Sequence, residues 1–134
     1  MPGYSGTPLP KKLGIKDGFH IRLIEAPSGV VAELQSSLEK CELAPDSKTP
    51  LDFAMLFTKS AASLKKEFPR IGKNLAPAGI LWISWPKKTS GVVTDLNENI
   101  VREIGLAAGL VDVKVCAVTD IWSGLKFVRR LKDR

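Results

Sequence analysis

Lys87-Lys88-Thr89-Ser90-Gly91 sets two ammonium groups, two hydroxyls and a glycine in consecutive positions, directly after an apolar run that ends in Trp85-Pro86. Such a set suits an oxyanion: the lysines bring charge, the hydroxyls neutral donors, and the glycine lets backbone approach closely. Glu25-Ala26-Pro27-Ser28-Gly29 is a second polar turn, in which Ser28 is expected to cap a helix and Gly29 to expose its first amides. With one glycine it lacks the several that a phosphate cradle uses. Trp122-Ser123-Gly124 adds an aromatic ring and a hydroxyl. The candidate binding set is therefore Trp85, Lys87, Lys88, Thr89, Ser90, Gly91, Ser28, Gly29, Trp122 and Ser123. Catalysis has thinner material: Glu25 or Asp120 as a base, with Ser90 or Ser123 as its partner. There is no nucleophile-elbow spacing, no triad and no paired metal carboxylates, so no catalytic residue is assigned. His20 is the sole histidine, and Cys41 and Cys116 lie far apart without a Cys-x-x-Cys spacing, which argues against a metal site.

The elements that must position these residues read as strands alternating with helices. Gly79 to Trp85 is apolar, short and bounded by Gly79 and Pro86, as expected of a central strand buried on both faces. Phe19 to Ile24 is the first strand, with His20 at its N-terminal end and a structural or surface role expected there. Ser28 caps a helix carrying Val30, Val31, Leu34 and Leu38. Cys41 to Leu43 is an edge strand, 44 to 50 a polar loop, and Leu51 to Phe57 a second buried strand. Thr58 or Ser60 caps the next helix, which Pro69 kinks or restarts, and Asn74 to Gly79 turns into the central strand. Asp95-x-x-Glu98 is a capping-box pattern for a helix stopped by Gly109. Val111 to Val118 alternates, with Asp112, Lys114 and Cys116 on one side and Val111, Val113, Val115 and Ala117 on the other. Leu125 to Val128 must pair antiparallel after so short a connection. Right-handed crossovers then give a sheet ordered second, first, third, fourth, sixth, fifth, with only the last strand antiparallel. Ligands of such sheets lie beyond the carboxyl ends of the strands, where Lys87 to Gly91 falls.

At 134 residues the chain is expected to be a single α/β domain, three-layered and Rossmann-like, with 1–8 and 130–134 flexible. No apolar run approaches the ~20 residues of a membrane span, and the first six residues lack the charged start and apolar core of a secretory signal. Cytoplasmic location and reduced, buried cysteines are the expectation. The net charge of +6 fits both a solvated basic surface and attraction to polyanions.

Two resemblances add to this. The strand and helix order resembles class I S-adenosylmethionine-dependent methyltransferases; Leu75-x-Pro77-x-Gly79-x-Leu81 is similar to the turn into their fifth strand, and Leu13 to Ser28 to their entry into strand one. Where that class carries a glycine-rich cofactor loop this chain has Glu25 to Gly29, and Cys41 to Leu51 is too short for the helix and strand that complete its adenosine pocket. The cofactor therefore stays unassigned. Lys12-Leu13-Gly14-Ile15-Lys16-x-Gly18, Ile80-Leu81-Trp82, Pro86-Lys87, Ala108-Gly109-Leu110 and Trp122-Ser123-Gly124 together resemble small bacterial proteins of domain of unknown function three-zero-five-two, a likeness that implies this fold and transfers no catalytic residue. The function expected from the sequence is a non-catalytic module for a small anion or nucleotide, with a phosphate-bearing small molecule as partner. The alternatives are a degenerate methyltransferase-like enzyme and a basic nucleic-acid-associated or scaffold protein. The sequence leaves the oligomeric state open.

Overall fold

The structure is a computed structural model that describes residues 7–44 and 48–134; the expectations for residues 1–6 and 45–47 lie outside them. The elements are α1 (Leu9–Leu13), β1 (His20–Ile24), α2 (Ser28–Leu38), β2 (Glu42–Leu43), β3 (Leu51–Phe57), α3 (Ala61–Lys73), β4 (Leu75–Pro86), α4 (Glu98–Ala107), β5 (Leu110–Ala117) and β6 (Trp122–Arg129), with short 3-10 turns at Lys88–Ser90 and Leu131–Asp133. The strands form one sheet in the order β2-β1-β3-β4-β6-β5. The pairs β1–β2, β1–β3 and β3–β4 are parallel, whereas β6 runs antiparallel to both β4 and β5. This is the order and direction expected from the sequence. The two almost wholly apolar runs, β3 and β4, occupy the middle because only there are both faces covered.

The sheet separates two cores. On one side α3 and α4 press Leu64, Phe68, Val101 and Ile104 onto Leu81, Ile83, Leu125 and Phe127. On the other, α1 and α2 bring Leu9, Leu13, Val30 and Leu34 to Ile21, Phe53, Met55 and Trp82. The indole of Trp82 donates to the Leu13 carbonyl at 2.8 Å, which fixes α1 on the sheet and satisfies the one polar atom of a fully buried ring. No helix among the described residues is long and apolar enough to cross a membrane.

Several local expectations are corrected. Ser28 is the first helical residue of α2, and Pro27 stands at the N-cap without a side-chain cap. α3 passes unbroken through Pro69, held by the buried Phe68 and Ile71 on either side; of the two candidate caps, the Ser60 hydroxyl accepts from Ser63 N at 3.2 Å. β4 begins at Leu75, earlier than expected. Leu51 pairs with Leu75 and Phe53 with Ile80, so that Ala76 to Gly79 bulge opposite Asp52. Gly79 is required there, because a Cβ would lie 2.5 Å from the Leu51 carbonyl oxygen. α4 is capped by Asn97, whose side chain accepts from Ile100 N at 2.9 Å. In β5 the regular alternation breaks at a bulge between Asp112 and Lys114, leaving Val113 54% and Val115 52% exposed. Cys41 and Cys116 are free and half-buried, not enclosed.

Candidate functional site

At the carboxyl end of the sheet, the ends of β1, β3 and β4 meet the β5–β6 turn. Backbone and hydroxyl bonds tie these ends together: Thr58 N donates to Ser84 O at 3.0 Å, Lys87 N to Ile121 O at 2.7 Å, and Ser84 Oγ to Ser123 O at 2.7 Å. The last links matter because Pro86 has no N–H to continue the ladder. Trp85 lies opposite Ser123 and Pro86 opposite Trp122.

The two tryptophans expected on one rim are adjacent in the sheet but serve different cores. Trp85 is buried on the α3/α4 side. Trp122 packs on the other side, edge-on to Phe57 with ring centroids 5.2 Å apart. They do not form a shared aromatic platform. Within the basic loop, Ser90 Oγ donates to Lys87 O at 2.6 Å and accepts from Val92 N at 3.1 Å, so its hydroxyl closes the turn. Gly91 completes it at φ 76°. Lys88, Thr89 and Gly91 are exposed and Lys87 half-buried.

Across the strand ends, Glu25 adopts φ 58°, the only non-glycine residue among those described with positive φ. An L side chain there costs about 1–2 kcal/mol, so the sharp bend between β1 and α2 is held against its own preference. Ser28 and Gly29 follow, both exposed, and a Cβ on Gly29 would meet nothing within 4 Å. The sequence reading considered Glu25 only as a base; its strain depends on the path of the bend and leaves no mark in composition. Two hydroxyls at this end stand outside the candidate site residues, Thr58 having been read only as a possible helix cap. Thr58 is buried with its hydroxyl accepting from Ser60 N at 3.4 Å, and Thr94 Oγ1 donates to Lys59 O at 2.6 Å. The signal available was their position, a hydroxyl immediately after a strand and one just before a helix.

At the far end of the sheet His20 lies between two carboxylates. Its Nε2 lies 3.0 Å from Glu42, its Nδ1 3.4 Å from Asp52, and its backbone N–H donates to Asp52 at 2.8 Å. Among the described residues no group of three His, Cys, Asp or Glu side chains could hold a metal ion. A groove of about 600 Å³ runs between α3 and α4, with Ile100 and Ile104 on its apolar wall and Lys65, Asp95 and Glu103 among its polar lining.

No family model and no curated protein matches the sequence, so the likeness to domain of unknown function three-zero-five-two rests on its motifs alone. Solved structures do match. An S-adenosylmethionine-dependent methyltransferase from Aquifex aeolicus superposes with a TM-score of 0.59 at 15% identity, over 87% of this chain and 85% of that one. Precorrin-6y C5,15-methyltransferase from Geobacter metallireducens gives 0.61 at 11% identity, over 91% and 86%. Magnesium protoporphyrin IX methyltransferase from Synechocystis, with bound SAM, gives 0.59 at 10% identity, over 91% and 74%. The fold is that of the S-adenosylmethionine-dependent methyltransferases. These neighbours overturn the expectation of a non-catalytic module for a small anion or nucleotide. They favour the methyltransferase-like alternative. The dispersed tryptophans and the locally spent Ser90 hydroxyl agree with that correction, since they remove two parts from which the anion crevice was to be built.

Proposed function

We propose that this chain is a methyltransferase-like protein of trimmed build that holds an S-adenosylmethionine-type ligand at the bend between β1 and α2. The observation that carries the reading is the strand order, with antiparallel β6 inserted between β4 and β5, in a chain that superposes on methyltransferases over most of its length.

The residues at the bend fit the amino-acid end of that ligand. Glu25, an exposed residue, offers its carboxylate to an ammonium, and the first amides of α2, at Ser28 and Gly29, offer donors to a carboxylate, with open space at the Gly29 Cβ position. Beyond β2 no further strand is present among the described residues, so the adenosine end would lie on an open edge beside Leu43, which is 67% exposed. When bound, S-adenosylmethionine supplies an electrophilic methyl group on a sulfonium. The acceptor side is the rim formed by Lys87, Lys88, Thr89 and Gly91 with Ser123 across the sheet, and the two lysines favour an acceptor carrying negative charge.

Calorimetric titration with S-adenosylmethionine and S-adenosylhomocysteine tests the reading, with ATP as the comparison ligand. Saturable binding of either adenosyl compound, weakened by Glu25→Gln, is expected. Absence of binding at about 1 mM, an affinity of only ~4 kcal/mol, would sink it. If binding is found, transfer of a tritiated methyl group to fractionated cell extract identifies the acceptor.

A further inference from the structure

The bulge in β5 re-aims a side chain. Asp112 pairs with Phe127 and Lys114 with Lys126, so one step along β6 answers two along β5, and Val113 is the extra residue. In an unbroken strand Lys114 would share the face of Asp112, which is turned to Arg102 of α4 at 2.9 Å. The bulge puts Lys114 on the opposite face, directly across from Lys126. Bulges of this kind recur where a strand must redirect a residue for a purpose.

The face so created is crowded with positive charge. Lys114 Nζ donates to Lys12 O at 3.3 Å, and Lys12 Nζ donates to Ala117 O at 2.9 Å, which ties α1 to β5, and the register adds Lys126 of β6 opposite Lys114. Neither Lys114 nor Lys126 has a carboxylate within ion-pair distance among the described residues. Like charges directly opposite on neighbouring strands are destabilising. Burial pushes the Lys126 ammonium below its usual range and Lys114 pushes it further, while Lys12, Lys114 and Lys87 all act on the Cys116 thiol beside them. Lys114 and Lys126 thus face each other in a repulsion that no carboxylate among the described residues relieves and that a bound anion would relieve.

We propose that the patch of Lys12, Lys114 and Lys126, on the α1 side of the β5–β6 hairpin, binds phosphoryl groups. Separate ammonium groups, each a point charge with several rotatable donors, suit the tetrahedral oxygens of a phosphoryl better than a planar carboxylate, which is matched by the fork of arginine. This site uses none of the residues of the bend at Glu25 and does not depend on the methyltransferase-like reading.

The test compares wild type with Lys114→Gln/Lys126→Gln and with Lys65→Gln/Lys66→Gln, which removes the same charge from exposed positions of α3. Inorganic phosphate, pyrophosphate and a single-stranded oligothymidine are titrated calorimetrically and by thermal melting. Pyrophosphate is expected to bind and to raise the melting temperature of wild type and of the α3 variant, with affinity falling at least about tenfold in the hairpin variant. In phosphate-free buffer the hairpin variant should melt at or above the wild-type temperature, because a repulsion has been removed. If the oligonucleotide binds more tightly than pyrophosphate, with a steep dependence on salt, the phosphoryl source is a nucleic-acid backbone; the reverse order marks a small phosphorylated molecule. No binding of either by wild type, equal loss in both variants, or a lower melting temperature for the phosphate-free hairpin variant would overturn the proposal.

Discussion

Asp95 Oδ1 accepts a hydrogen bond from Ala61 N at 2.8 Å, so a carboxylate just ahead of α4 satisfies the first amide of α3. Together with Thr94 Oγ1 on Lys59 O, it ties the segment after the basic loop to the turn after β3. The α3 N-terminus is thus held from two directions, by Ser60 within its own chain segment and by Asp95 from 34 residues away.

Asp95→Ala should cost about 1 kcal/mol, the usual worth of an N-terminal cap, and Asp95→Asn about half of that or less, since its carbonyl oxygen can still accept. Urea unfolding gives the difference. Equal stability of wild type and Asp95→Ala would mean that water replaces the contact without loss.

Gly105 of α4 sits over the edge of Phe127, and a Cβ there would come within 2.1 Å of the ring. The ring cannot swing away easily, because it is fully buried and meets Phe68 edge-on at 5.1 Å. Gly105→Ala, which on helix propensity alone would stabilise by about 1 kcal/mol, is therefore expected to destabilise by about 1–3 kcal/mol through overpacking. Adding Phe127→Leu should recover part of the loss. Recovery shows up in a double-mutant cycle of unfolding free energies, and strict additivity would contradict the contact.

The sequence was most informative where burial alone decides. β3 at Leu51–Phe57 and the apolar half of β4 stand out as runs too short for helices, and handedness then orders the whole sheet. It was least informative where a distant partner decides. Asp95 and Asn97 are both good caps, and which one opens α4 depends on whether Ala61 N claims the other. Trp85 and Trp122 lie at one end of adjacent strands, but their faces follow from a cross-strand register that neither strand carries in itself. The bulge at Val113 has no glycine or proline to announce it, so strict alternation was the natural reading. The candidate site suffers from the same limit: its loops were legible as loops, whereas the strain at Glu25 and the inward use of Ser90 depend on how those loops close.

The cysteines give a pH-dependent expectation. Burial is the main cause raising both thiols above their ordinary value of 9.0; at Cys41 the Phe19 amide opposes it, and at Cys116 the three neighbouring lysines do. Labelling by a disulfide reagent at pH 8 should be slower in native than in urea-unfolded protein and should accelerate as pH rises, because the thiolate is the reacting species. The linkage sign follows. A thiol whose folded pKa is raised favours the fold fully below its unfolded value and loses that contribution as pH climbs through the folded value, so stability should decline above about pH 9. Cys41→Ser/Cys116→Ser should flatten that decline. An unchanged slope would assign it to other groups.

Glu25 separates stability from binding. Its φ of 58° is strained for any L side chain, and neither a hydrogen bond nor an ion pair of its carboxylate is seen among the described residues. Glycine adopts that backbone freely but gives the unfolded chain more freedom, so the gain from relieved strain is partly offset. Glu25→Gly is expected to raise unfolding stability by about 0.5–1 kcal/mol, measured as a higher urea midpoint at unchanged m value. If the carboxylate meets the ammonium of an adenosylmethionine-type ligand, the same substitution weakens binding, and Glu25→Gln weakens it without the gain in stability. A protein that became more stable and bound S-adenosylhomocysteine as before would leave the strain in place but take Glu25 out of the site. One that lost both would show that the bend needs its carboxylate to fold.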